Sequence, residues 1–234
     1  MTKLIKNEFL KLGKLKFILI HLIFLLIIIT YYYVNKRVIS EEFLLSLIPF
    51  IGVGVSILFC GIMSNEYNNG TFRIYLVKPI NRSKIYISKL LTILLTIISI
   101  LIHNLTIYIL FTHDINVNFT IKYFSYSHSL ILISIIIIML STIIKSSPFT
   151  SGIVIMLLTF GFSVFELLLL VDFNFLEFTF LPYIDLNVLN KLNYVNAILG
   201  VNLSLKKSII INFIYSIFFL IIGIYIFNKK DINC

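Results

Sequence analysis

The chain has 234 residues, of which 59% are hydrophobic and only 12% charged, with a mean hydropathy of +1.05; soluble domains run at about 45–50% apolar and about 25% charged. This excludes an ordinary soluble domain and predicts an all-α polytopic membrane protein, with room for six spans of about 20 residues and no large extramembrane domain. The net charge of +9 is carried by cations that flank apolar runs and form no stripe on a soluble face, so it reads as a topology signal and excludes nucleic acid as a partner.

Residues 1–16 carry Lys3, Lys6, Lys11, Lys14 and Lys16, while Ile5, Phe9 and Leu12 recur at helical spacing. This is the pattern of an amphipathic helix lying in the interface, with its basic face on lipid headgroups and Ile5, Phe9 and Leu12 in the acyl boundary. The apolar run 17–34 is too long for a signal peptide and no small-residue cleavage site follows it, so it is expected to stay as the first span. Further spans are expected at 43–63, 90–112, 128–144, 149–171 and 208–228. Pro49, Gly52 and Gly54 should distort the second, where Gly52 and Ser56 give a small face for close packing, and Pro148 suits the start of the fifth.

With the N-terminus inside, the inner segments hold 13 of the Lys and Arg residues and the outer loops 6, which predicts that both termini are cytoplasmic. The segment 64–89 is then a basic cytoplasmic loop. Segment 172–207 is an outer loop too apolar to be simply solvated. Two readings of it stay open: a re-entrant element beside a translocation path, or an amphipathic segment resting on the outer leaflet.

The sequence contains no phosphate-cradling Gly-rich loop, no HExxH and no nucleophile elbow, and its four histidines lack metal-ligand spacing. Neither an ATPase, a metal enzyme nor a serine hydrolase is expected. Cys60 and Cys234 read as two unrelated thiols on the reduced side. Glu166 is the one acid well inside an expected span, at a depth roughly matching that of His103 and Asn104 by helical rise. A charge there marks a pathway or a pair, so a polar contact of Glu166 with His103 or Asn104 is expected, against a glutamate that reaches the interface by tilt or is held protonated as a structural group. Glu166 with His103 is also the only candidate dyad for an intramembrane enzyme.

The 64–89 loop holds the most specific pattern: Glu66, Gly70-Thr71, Phe72-Arg73, Pro79, Asn81-Arg82 and Lys89. This resembles the permease subunits of ABC type 2 exporters, the group that includes bacitracin-resistance, lantibiotic-immunity and sodium-efflux permeases, although Asn81 stands where Ser is common. The N-terminal Lys6-Asn7-Glu8-Phe9-Leu10-Lys11-Leu12 looks like that family's entry into an interfacial elbow helix.

The resemblance implies a permease that binds no cofactor itself, with ATP and magnesium on a separate cytosolic ATP-binding subunit, and a second permease subunit, identical or homologous. It also implies that the loop docks on the ATPase. Glu66, Gly70, Thr71, Phe72, Arg73, Pro79 and Arg82 are the expected coupling residues, with Gly70 for a tight turn, Thr71 for a cap and Pro79 for a stop. Lys84 and Lys89 are expected to serve topology and headgroup contact only. The cargo is expected to be a hydrophobic or amphipathic compound such as an antimicrobial peptide or drug. The alternatives are sodium efflux and a non-transporting membrane anchor for an ATPase. The expected location is a bacterial plasma membrane.

Overall fold

The computed structural model describes residues 2–35, 38–70, 81–113, 116–169, 178–184, 196 and 202–230, and among these there are helices and no strands. In chain order they are α1 (Thr2–Leu12), α2 (Lys14–Val34), α3 (Glu41–Ser46), α4 (Ile48–Phe59), α5 (Ser64–Asn68), α6 (Arg82–Thr112), α7 (Val117–Tyr126), α8 (Ser129–Ile143), α9 (Ser147–Leu169), α10 (Leu181–Ile184) and α11 (Leu205–Lys229). Five stretches are long and apolar enough to cross a membrane: Lys14–Val34, Glu41–Asn68, Arg82–Thr112, Val117–Ile143 and Leu205–Lys229. α9 is a further apolar helix. The chain is thus a multi-pass membrane protein by the length and composition of its helices.

Local chemistry explains where the helices break. Gly13 adopts φ 76° and separates the amphipathic α1 from α2, a conformation that only glycine takes without strain. Ser40 caps α3 by accepting from the Phe43 amide at 3.2 Å, and Pro49 falls in the first turn of α4, where its missing N–H costs nothing. The second expected span is therefore interrupted at Leu47 and again between Phe59 and Ser64. At the second break the Ser141 hydroxyl accepts from the Met63 and Ser64 amides at 2.9 and 3.3 Å, so two N–H groups at the start of α5 find partners inside the bundle. α6 begins at Arg82, eight residues before the expected start at 90, with Asn81 as its N-cap through the Ser83 amide at 3.0 Å. Asn is among the residues preferred at that position.

α8 lies centrally, packed by α4, α6, α9 and α11, with Ile133, Ile137 and Ile138 almost fully buried. Contacts between elements define two ends of the bundle. At the near end, which carries α1, Arg82 donates to the Asn228 and Lys230 carbonyls at 3.0 and 3.1 Å, and Asn68 donates to the Lys145 carbonyl at 2.9 Å. Lys230 bonds the Thr142 carbonyl and lies over the Tyr67 ring. At the far end Asn116 reaches Glu41 at 3.0 Å, Tyr31 stacks on Phe43, and Tyr32 packs on Phe111.

Gly223 of α11 packs closely on α6, because a Cβ there would meet the Tyr86 hydroxyl, whose ring is fully buried on α6. Gly223→Ala should destabilise the detergent-solubilised protein by about 1–3 kcal/mol through overpacking. Adding Tyr86→Phe should recover part of that loss, and thermal unfolding of the three proteins measures both effects.

Candidate functional site

The near end contains a ring of four charges. α1 is held to the bundle by its half-buried apolar face, Leu4, Ile5, Phe9 and Leu12, and on that same face sits Glu8, only 5% exposed. Opposite it is Lys89, fully buried in the second turn of α6, and beside both is Glu66 of α5. Lys89 Nζ lies 2.8 Å from Glu8 Oε2 and 2.8 Å from Glu66 Oε1, and it donates to the Ile62 carbonyl at 3.2 Å. Lys11 Nζ, on the rim, lies 2.9 Å from Glu8 Oε1 and 2.6 Å from Glu66 Oε1. Each ammonium touches both carboxylates, so like charges are kept apart and the ring is neutral overall.

Such a ring is not a free source of stability, since each ion gives up its hydration on burial. It is tolerated because each charge is met by opposite charges at hydrogen-bond distance. Burial raises the Glu8 pKa, but the Lys89 and Lys11 ammoniums outweigh it, and the carboxyl is held below its ordinary value. A cavity of about 350 Å³ adjoins the ring, with Lys16, Asn65 and Asn69 among its walls.

The structure moves several expected site residues. Lys89 does not serve headgroup contact; it is the fully buried centre of the ring. Glu66 turns inward into the same ring. Arg82 is engaged within the chain, where its guanidinium meets the last carbonyls of α11 and complements the negative end of that helix. Gly70 takes φ 64°, as a tight turn requires. Thr71, Phe72, Arg73 and Pro79 lie outside the described residues, as does most of 172–207, the segment of the expected re-entrant element.

The expected contact of Glu166 with His103 or Asn104 is not formed. Glu166 is exposed on α9, His103 packs edge-on against His21 of α2 at 5.1 Å between ring centroids, and Asn104 is buried beside Tyr123 of α7. Depth along a helix is not direction, and α6 turns these residues toward α2 and α7 instead of α9.

Glu8 was the residue that sequence reasoning passed over. Its signal was present: it falls three residues after Ile5 and four before Leu12, an acid inside an apolar stripe. Lys89 similarly follows Ile85 by four residues and precedes Ile93 by four, on the buried face of α6.

Lys89→Met should destabilise the protein by about 3–5 kcal/mol, because Glu8 and Glu66 would lose their buried counter-charge; equilibrium unfolding in detergent checks it. A depressed carboxyl contributes stability above its unfolded value, which is near 4.5 for Glu8, and loses it as pH falls through the lower folded value. Hydrogen exchange of the α1 amides should accordingly be insensitive to pH, after correction for intrinsic rates, down to the ordinary carboxylate range. Below that range the amides should lose protection.

A family model described as a protein of unknown function, DUF2705, matches residues 30–233, which include Glu66 and Lys89 and leave out Glu8 and Lys11. No curated protein matches the chain.

Proposed function

The chain belongs to the DUF2705 family, whose description assigns no activity, and we propose, from the resemblance of its Glu66–Lys89 pattern to ABC type 2 permeases, that it is the permease subunit of an ATP-driven ABC exporter. The observation that carries this reading is the charge ring. It joins the interfacial helix α1, the end of the second span and the start of α6 into one rigid near end. The 71–80 segment, with Arg73 and Lys78, is tethered to that unit at Gly70 and Asn81. A force applied to this segment by a cytosolic ATPase would pass through Lys89 into α6 and through Glu8 into α1.

In this reading the bundle has six spans, with α9 as the fifth, both termini in the cytoplasm and a bacterial plasma membrane around it. A second permease subunit completes the pathway, and ATP and magnesium are bound only by the partner ATPase. The cargo is hydrophobic or amphipathic. The chain itself performs no bond chemistry.

The test is affinity purification of the tagged chain from native membranes. An ATP-binding protein should co-purify, and Arg73→Glu should reduce its recovery about tenfold or more, the cost of opposing a charge at an interface. Vanadate-sensitive export by vesicles containing both proteins would complete the reading. Recovery unchanged by Arg73→Glu, or an associated ATPase without export, would contradict it.

A further inference from the structure

The left-handed turn at Gly13 separates α1 from α2, and a groove of about 360 Å³ runs across that elbow. Its floor is Phe9, Leu10, Phe17 and Ile18, with the Phe9 and Phe17 rings edge-on at 6.3 Å between centroids. Lys6 and Lys14 complete it, both exposed and neither held in an ion pair or hydrogen bond among the described residues. No carboxylate lines this groove, whereas the cavity beside the charge ring has Glu8 and Glu66 in its walls. A smaller cavity of about 170 Å³ shares Phe17 and Ile18 with the groove and continues along α2 past Leu22 and Leu25, beside the His21 and His103 rings. The two form one path, cationic at its entrance and mainly apolar beyond it.

The helix sets the depth of this path. Lys14 opens the apolar stretch Lys14–Val34, so its ammonium and that of Lys6 lie at headgroup level. Leu25 is about 16 Å further along α2 by helical rise, roughly half of a hydrocarbon core of about 30 Å. The path is thus one leaflet deep. Two uncompensated ammoniums above an apolar track match an anion that carries an acyl chain. A second copy of the chain supplies no such anion at that depth among the described residues. Glu8 and Glu66 are buried in the ring, Glu41 and Glu42 are at the far end, and Glu166 lies about 28 Å along α9 from its near end.

We propose that the elbow binds an anionic phospholipid, with its phosphate between Lys6 and Lys14 and one acyl chain lying along α2 over Ile18 toward Leu25. The site is more than the general attraction of a basic helix for a charged leaflet, because only two of the lysines of residues 1–16 line it and the chain track begins between them. Binding is read on the chain alone, without an ATPase and without transport, so it stands or falls separately from the exporter reading.

The test is photolabelling of the purified full chain in lipid nanodiscs with a phosphatidylglycerol that carries a diazirine on one acyl chain, the labelled peptides being mapped by mass spectrometry. Labels should concentrate near Ile18, Leu22 and Leu25, and unlabelled phosphatidylglycerol should compete about tenfold better than phosphatidylcholine. Lys6→Gln and Lys14→Gln should each lower that preference about fivefold, while Lys3→Gln, on the same helix but outside the groove, should leave it within about twofold. All three lysines are exposed, so these variants keep the fold. Ile18→Trp, which narrows the track from an exposed position, should lower labelling by the tagged lipid even with all lysines present. An equal loss for Lys3→Gln and Lys6→Gln would mean diffuse attraction to a basic surface and would overturn the proposal. So would equal competition by the two lipids, or an elbow shielded from the probe by a second copy of the chain.

Discussion

The near end of this molecule depends on the contact between Lys89 and two carboxylates from different parts of the chain. An ammonium buried to zero exposure in the second turn of an apolar helix persists only with compensation at close range. Glu8 and Glu66 provide it, and Lys11 then balances the pair of acids from the rim. Because Glu8 is on α1, the same contact docks the interfacial helix. Because Glu66 is on α5, it also holds the broken end of the second span beside the start of α6. The Ser141 bonds to that break and the Arg82 bonds to the last turn of α11 extend the same rigid end to two more helices.

The far end is built differently. Its bonds run from Asn116 to the Glu41 carboxyl and among His128, Ser208 and Asn212. A charged, fully compensated near end suits the transmission of force, as the proposed exporter requires. The two ends are joined by α6, which carries Lys89 in its second turn and packs Tyr108 on Phe119 near its other end.

The apolar helices were legible because hydropathy over about 20 residues dominates local detail, and α2, α9 and α11 lie close to their expected bounds. The start of α6 was not, because hydropathy ends a span where polar residues begin, and Tyr86, Ser88 and Lys89 are polar yet buried. Helical spacing would have carried the buried face back through Ile85. The breaks near Leu47 and Cys60 depend on a proline and on Ser141, a residue distant in sequence, so only the first could be anticipated. Glu166 was singled out by depth alone, whereas pairing also requires that two helices turn the right faces together. Glu8 was masked by its setting, an acid read as part of a basic segment when its position on the apolar stripe was the informative property.

The account is tested most directly by a double-mutant cycle on Glu8→Gln and Lys89→Met, read by equilibrium unfolding of the purified protein. If these charges form one compensated ring, the double variant should be less destabilised than the sum of the singles, with a coupling energy of about 1–3 kcal/mol. Additivity to within about 0.5 kcal/mol would mean that the two residues act independently and that the ring does not hold the near end together.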